Sequence, residues 1–209
     1  MTKGTAMTPD RWQTLMLGLG WPQNEATFAA LSDAYRQSHR HYHTQQHIAD
    51  CLTRFDSLRH EAEQPHAIEL ALWFHDAVYD PYRSDNEQAS ADWAMRFLHE
   101  NSAPVSLRDR VHGLIVATLH DAVATDHDTA IMIDIDLSIL GATPDAYDAY
   151  RHAIRREYRW VPGLLFRRNR RAVLESFLRR KRIFQTDHFH SSLEDQARRN
   201  INAELEGLR

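Results

Sequence analysis

The fold class depends on one ambiguous segment, Ile131-Met-Ile-Asp-Ile-Asp-Leu-Ser-Ile-Leu-Gly141. Isoleucine recurs at every second position from 131 to 135, which is typical of a strand that buries one face. Met132, Ile135 and Ile139 fit the stripe of an amphipathic helix equally well. Two flanking residues favour the helix. Asp128 can cap a helix, and Gly141 can terminate one. We therefore predict a helix here.

Helical patterns extend through nearly all of the remaining chain, and the whole sequence contains only seven Gly and seven Pro. Thr8-Pro9 provides a cap and a first turn for one helix, and Thr44 can cap another. Ser84 with Glu87 matches the capping box of a further helix. No internal repeat or linker interrupts the pattern. The sequence therefore predicts a single all-α domain over residues 1–209.

The composition is that of a globular protein in a reducing compartment. Hydrophobic residues make up 43% of the chain and charged residues 26%. No apolar run approaches the roughly 18 residues of a membrane-spanning helix, and the amino terminus lacks the apolar core of a signal peptide. The single cysteine, Cys51, excludes an internal disulfide and lies on an apolar stripe, which predicts core packing. We expect a cytoplasmic protein with no membrane partner.

The charge is unevenly distributed along the chain. The net charge is −4, yet residues 151–182 contain twelve Lys or Arg and only two acidic residues, Glu157 and Glu175. These basic residues are either solvated helix faces or a basic wall that faces an anionic substrate. A negative protein with one basic segment does not resemble a reader of duplex nucleic acid.

The dipeptide His-Asp occurs three times, and only one occurrence has an informative setting. With 14 His and 18 Asp, random order alone produces about one such pair. Residues 120–121 and 127–128 lie in a polar, turn-like stretch, whereas the pattern predicts that His75-Asp76 lies inside the apolar helical run that begins Leu70-Ala-Leu-Trp-Phe74. A carboxylate is costly to bury without compensation, and a metal ion is a common one.

The helical periodicity places further candidate metal ligands on or beside the apolar faces of their helices. His47 comes at the amino end of its helix, at the border of the apolar stripe, and His75 continues the stripe of its own helix. Asp136 shares the apolar face of the ambiguous segment, so the phase favours it over Asp134 as a fourth ligand beside Asp76. Two imidazoles and two carboxylates suit a divalent ion such as Mn, Fe, Co, Ni, Zn or Mg. A six-coordinate ion would retain positions for a substrate oxygen and an activated water.

The order of these residues resembles the H…HD…D signature of the HD superfamily of metal-dependent phosphohydrolases. The signature residues are His47 in Tyr-His-Thr-Gln-Gln-His-Ile, His75-Asp76 in Phe-His-Asp-Ala-Val-Tyr-Asp-Pro, and Asp136 in Asp-Ile-Asp-Leu-Ser-Ile-Leu-Gly. More narrowly, the chain resembles a bacterial group within the superfamily, labelled only as predicted phosphohydrolases, over about residues 39–205. The resemblance implies an HD-type helical bundle with a core at about residues 25–160, on which residues 161–209 pack. It carries the four residues over as metal ligands.

Three further residues are candidates for catalysis or for contact with a substrate. His43 could contact a phosphate or a second ion, or it could be a polar residue of an exposed loop. Glu87, together with Asp85, could orient a ligand or a water, although Glu87 also has a sufficient role in the capping box. His120 ends its helix where related HD enzymes often place a histidine that faces the substrate or a second metal.

Arginines provide the remaining substrate-binding candidates. Guanidinium groups bind phosphate through paired hydrogen bonds, and we select Arg155 and Arg159 from the basic segment. The predicted function is metal-dependent hydrolysis of a phosphate ester of a small molecule, a nucleotide being one candidate. Asp76 or a nearby carboxylate would accept the proton of the attacking water. The chain lacks the Gly-Tyr-Pro element of the cyclic-dinucleotide phosphodiesterases and the extra domains of guanosine tetraphosphate hydrolases.

Two other functions are compatible with the same residues. A di-iron oxygenase of HD type would need about two more histidine ligands, for which His43 and His120 are available. A non-catalytic ligand-binding module could instead keep the metal as a structural element. For each of these functions we expect a small-molecule partner. A homodimer is the candidate for the oligomeric state.

Overall fold

The structure, a computed structural model, describes residues 7–119 and 124–208, and every regular element in these ranges is helical. The helices are α1 (Pro9–Gly18), α2 (Glu25–Ala34), α3 (Gln45–Leu58), α4 (Pro65–Phe74), α5 (Asn86–Glu100), α6 (Val105–Val116), α7 (His127–Leu137), α8 (Pro144–Glu157), α9 (Gly163–Arg179) and α10 (Asp187–Gly207). Short 3-10 helices occupy Ala117–Leu119 and Ser138–Gly141. The predicted all-α fold class is confirmed.

The ambiguous segment forms α7 and the 3-10 turn that follows it. Its residues from Ile131 to Ile135 are all buried, including Asp134. A helix that is buried on every side carries apolar residues in every phase. This explains why the segment fits the period of a strand as well as that of a helix.

Of the four predicted caps, Thr8 is confirmed, Thr44 is the N-cap residue of α3 but makes no side-chain cap hydrogen bond, and the other two are wrong. Thr8 caps α1 through its hydroxyl, which accepts a hydrogen bond from the backbone N–H of Arg11 at 3.2 Å. Asp126, not Asp128, accepts the backbone N–H of Thr129 at 2.9 Å in the first turn of α7. The N-cap residue of α5 is Asp85 and not Ser84, because α5 begins one residue later than the capping-box pattern requires.

Packing divides the chain into two compact units, with the boundary between Ile135 and Asp136. The boundary falls inside α7, so Asp136 continues the helix whose preceding residues belong to the first unit. The prediction of a single domain with a core at about residues 25–160 stays a prediction.

The first unit is built on aromatic side chains of α1, α4 and α5. Trp12 of α1 meets Trp73 of α4 edge to face, with ring centroids 5.2 Å apart. Phe97 of α5 lies 5.6 Å from Trp12 and 5.4 Å from Phe74. All four rings are buried, and such pairs stabilise a core beyond the area they bury. This cluster fixes the carboxyl end of α4, where His75 and Asp76 follow.

Two buried carboxylates, those of Glu69 and Asp128, connect α4 with other segments of the first unit. Glu69 of α4 accepts hydrogen bonds from the guanidinium groups of Arg11, at 2.8 Å, and Arg59. The carboxylate of Asp128 accepts the backbone N–H groups of Glu63 at 2.8 Å and Gln64 at 2.9 Å, at the start of α4. Each buried charge is thus compensated by donors, as burial requires.

The second unit has its own polar ties. Asn200 of α10 donates to the carbonyls of Leu140 and Ala142, both at 2.8 Å. Glu204 of α10 pairs with Arg170 of α9 at 2.9 Å and accepts the hydroxyl of Tyr147 of α8 at 2.5 Å. These contacts join α8, α9 and α10 around one buried carboxylate.

None of the described helices is both long enough and apolar enough to cross a bilayer.

Gly141 and Gly113 provide a matched test of the packing against α10. A Cβ on Gly141 would lie 2.5 Å from Cβ of Leu193 and 2.8 Å from its backbone oxygen, whereas a Cβ on Gly113, inside α6, meets nothing within 4 Å. We expect Gly141→Ala to lower the free energy of unfolding by about 1–3 kcal/mol through overpacking. Gly113→Ala should raise it by about 0.5–1 kcal/mol, since alanine favours helix. Urea unfolding measures both, and equal effects would contradict the close approach.

Candidate metal centre

His75 and Asp76 lie in the turn that directly follows α4, and not inside the helix as predicted. His75 is the C-cap residue, and its backbone N–H donates to the carbonyl of Ala71 at 2.8 Å. Its ring is buried, and its Nδ1 lies 3.1 Å from the carbonyl oxygen of Leu72. Because a carbonyl only accepts, Nδ1 carries the proton and Nε2 presents a lone pair. The carboxyl end of a helix also favours a nearby cation.

His47, in the first turn of α3, directs its ring at the same point. Its Nε2 lies 3.2 Å from Nε2 of His75. Oδ2 of Asp76 lies 3.3 Å from each of these two nitrogens. Three electron-pair donors therefore form a nearly equilateral triangle, which is stable only if a proton or a metal cation lies among them.

Asp136 brings a further carboxylate to these imidazoles. Ligand atoms of His47, Cys51, His75 and Asp136 all lie within 4.8 Å of one another, and this group could hold a metal ion. The imidazoles and the thiol are buried, and Asp136 is half-buried in the last turn of α7. Asp134 does not belong to the group, so the structure places the aspartate that helical phase favoured beside the two histidines.

The donor spacing fits a divalent ion. Metal–nitrogen bonds of 2.0–2.1 Å place neighbouring ligand atoms about 2.9 Å apart in an octahedral site and about 3.4 Å apart in a tetrahedral one. The triangle of His47, His75 and Asp76 has edges of 3.2 and 3.3 Å. The side chain of Asp76 is 17% exposed while both imidazoles are buried, so solvent reaches the group from its carboxylate side.

Cys51 stands beside the ring of His47 rather than in line with its lone pair. Its sulfur lies 3.8 Å from Nδ1 and 3.8 Å from Nε2 of His47. If Cys51 coordinated an ion bound at Nε2 of His47, its sulfur would lie roughly 1.5 Å closer to Nε2 than to Nδ1, because the metal–nitrogen bond points away from the ring. In this rotamer the thiol therefore packs against the imidazole, in keeping with the core role predicted for it.

Arg40 braces the two segments that carry the histidines. The guanidinium group is buried and donates to the carbonyls of His43 at 3.1 Å, Asp76 at 2.7 Å and Ala77 at 3.0 Å. The rings of Tyr35 and Tyr79 flank it, with centroids 5.2 and 5.4 Å from the guanidinium carbon. Arg40 was missed by the sequence analysis, because no periodicity marks a buried arginine whose acceptors are backbone carbonyls.

His43 belongs to the surroundings of the cluster and not to a remote loop. Its ring stacks on Tyr79 with centroids 4.1 Å apart and lies 6.0 Å from the ring of His47. Burial alone would raise the pKa of Asp76, but the imidazoles of His75, His43 and His47 outweigh it and hold this pKa well below its usual range. Asp76 is therefore an anion in the folded protein, as a metal ligand must be.

The remaining predicted residues have separate placements. Glu87 is half-buried in the first turn of α5, and Asp85 pairs with Arg83 at 2.8 Å on the surface. Arg155 donates to the carbonyls of Tyr158 at 2.5 Å and Val161 at 3.2 Å in its own unit. Arg159 is exposed. His120 lies outside the described residues. Roles in catalysis or substrate binding stay predictions for all of these.

A cleft of about 790 Å³ lies beside the segment that follows Asp76. Its lining includes His39, Tyr79, Asp80 and Trp93. None of the metal-binding candidates is among its lining residues, which include Ala77, Val78 and Tyr79 directly after Asp76.

Comparison with known proteins adds no relative to this description. No family model matches the chain, and neither a curated protein nor a solved structure is detectably similar to it.

Cobalt substitution tests the assignment of Cys51. We expect the Co²⁺ protein to lack the intense near-ultraviolet band of a thiolate ligand, since the sulfur is out of line with the lone pair. Cys51→Ser should leave the visible spectrum and the Co²⁺ dissociation constant unchanged, whereas His47→Ala should remove the bound cobalt. A strong band that disappears in Cys51→Ser would show that the sulfur coordinates the ion.

Arg40 is expected to control metal affinity through the backbone that it holds. Arg40→Met keeps much of the buried volume but leaves three carbonyls without their donor, so the free energy of unfolding should fall by about 2–4 kcal/mol. The metal dissociation constant should rise by about tenfold or more, because the ligand-bearing turns lose their alignment. Titration with Zn²⁺ measures the affinity, and Arg36→Met, on the exposed side of the same segment, is the control. Unchanged affinity in a folded Arg40→Met protein would refute the bracing role.

Proposed function

We propose that the protein is a metal-dependent phosphohydrolase of the HD type, acting on a phosphate ester of a small molecule. The observation that carries the proposal is the convergence of Nε2 of His47, Nε2 of His75 and Oδ2 of Asp76 within 3.3 Å of one another. The carboxylate of Asp136 adjoins the two imidazoles. This order of ligands, H…HD…D, is the one that the HD resemblance implies.

The donor set is equipped for hydrolysis. Two imidazoles and two carboxylates, bound to a divalent ion, would supply Lewis acidity and a water of lowered pKa. The carboxylate side of the group is the side that solvent reaches. A phosphate ester would approach from that side.

Residues of the first unit are assigned the remaining roles. His75 is held by the carbonyl of Leu72 with Nε2 toward the group, and Arg40 orients the turn that carries Asp76. Asp76 is the proposed acceptor of the water proton, with Glu87 and His120 as the other candidates for proton transfer. His43 adjoins the cluster through its contact with His47 and is the proposed phosphate contact. Arg155 is engaged with its own turn, so the proposal does not depend on it.

A hydrolysis assay with metal analysis tests the proposal. Purified protein should contain about one divalent ion per chain and hydrolyse at least one member of a panel of nucleotides and sugar phosphates. Chelation, His75→Ala and Asp76→Ala should each abolish turnover because each removes the activating ion. His60→Ala alters an exposed histidine and should leave both metal content and turnover unchanged.

Other results would lead to different functions. Turnover that survives chelation and both substitutions would end the proposal. Two tightly bound irons with oxygen consumption would identify the oxygenase. Retained metal with no turnover across the panel would identify a binding module.

A further inference from the structure

The turn between α8 and α9 presents apolar side chains to solvent. Trp160 is 46% exposed, Leu164 78% and Leu165 39%. Single exposed apolar residues are ordinary, but a group of them on one surface marks a site of interaction. We name these three residues, together with the four exposed arginines Arg156, Arg159, Arg167 and Arg168, the α8–α9 tip.

The tip is an ordered structure. Arg155 donates to the carbonyls of Tyr158 and Val161 and covers the ring of Phe166, whose centroid is 4.7 Å from the guanidinium carbon. The backbone N–H of Val161 donates to the carbonyl of Tyr158 at 3.0 Å, and that of Phe166 donates to Pro162 at 2.9 Å. The apolar residues are therefore held in place at the surface by the turn itself.

The charge around the apolar residues has one sign. Between Asp148 and Glu175 the only acidic residue is Glu157, and Glu157 is buried. None of the four arginines of the tip enters an ion pair among the described residues. The segment that carries the tip therefore has four exposed guanidinium groups and no exposed carboxylate between Asp148 and Glu175.

We infer that the α8–α9 tip docks the protein on the surface of an anionic lipid bilayer. Leucines and a tryptophan at a turn can enter the headgroup region, where tryptophan is favoured, while arginines beside them bind lipid phosphates. Each basic residue near an anionic surface multiplies binding about fivefold. This inference differs from the expectation that the protein has no membrane partner, which rested on the absence of a spanning segment.

A bilayer fits the tip better than the other anionic partners. Duplex nucleic acid has no apolar phase to receive Leu164 and Leu165. A second copy of the chain would need an acidic patch with an apolar recess. The cleft beside Tyr79 has Arg83 as well as Asp33 and Asp80 in its lining, and a cleft beside Tyr35 has Arg36 and Arg40 but no carboxylate. A bilayer offers phosphate groups at its surface for the arginines and an apolar interior beneath them for the leucines.

Vesicle co-sedimentation of the full chain tests the inference. The protein should sediment with vesicles of phosphatidylcholine mixed with phosphatidylserine, less so at high salt, and not with phosphatidylcholine alone. Arg159→Glu combined with Arg167→Glu should weaken binding by at least about 25-fold, and Leu164→Ser combined with Leu165→Ser by about tenfold or more.

Matched variants serve as controls. Arg96→Glu with Arg199→Glu makes the same change in net charge at exposed positions elsewhere, and Leu17→Ser alters an exposed leucine of α1. Both should bind anionic vesicles like the unaltered protein. Four results would each overturn the inference. They are an equal loss of vesicle binding in the control variants, no binding to anionic vesicles, self-association that the leucine variants abolish, and binding only to added RNA.

Discussion

Two imidazole nitrogens and a carboxylate oxygen meet at the carboxyl end of α4, where the packing of the first unit holds them together against their mutual repulsion. Buried lone pairs that face one another need a positive charge among them. The aromatic cluster of Trp12, Trp73, Phe74 and Phe97 fixes the end of α4, and the first turn of α3 supplies His47. The surrounding packing thus maintains an arrangement that is unfavourable without a cation or a proton.

A buried arginine makes this arrangement possible. Arg40 contributes its charge to backbone carbonyls on both ligand-bearing segments, and so it orients the donors without competing for the centre of the group. Elsewhere the protein compensates buried carboxylates directly. Glu69 and Glu204 have arginine partners, and Glu194 and Asp128 accept backbone N–H groups. Asp76 differs because imidazoles surround it, which is the environment of a metal ligand.

The two His-Asp pairs in the part of the chain that the structure describes show that setting, and not the dipeptide, determines the role. In His127-Asp128 the carboxylate satisfies the backbone at the start of α4. In His75-Asp76 both side chains turn toward one point, because the helix ends just before them and the turn rotates the carboxylate back to the imidazole. The ending of α4 at Phe74 is therefore as important to the site as the identity of its two residues.

Local periodicity determined much of what could be predicted. The helical pattern, the phase of Asp136 and the inward direction of His47 and His75 follow from the 3.6-residue repeat, which depends on the chain alone. The tertiary structure decided what periodicity does not encode: the end of α4, the bracing by Arg40, the position of Cys51 beside a ring, and the exposure of the α8–α9 tip. Each of these depends on contacts between residues far apart in the chain, or on which apolar side chains remain uncovered after folding.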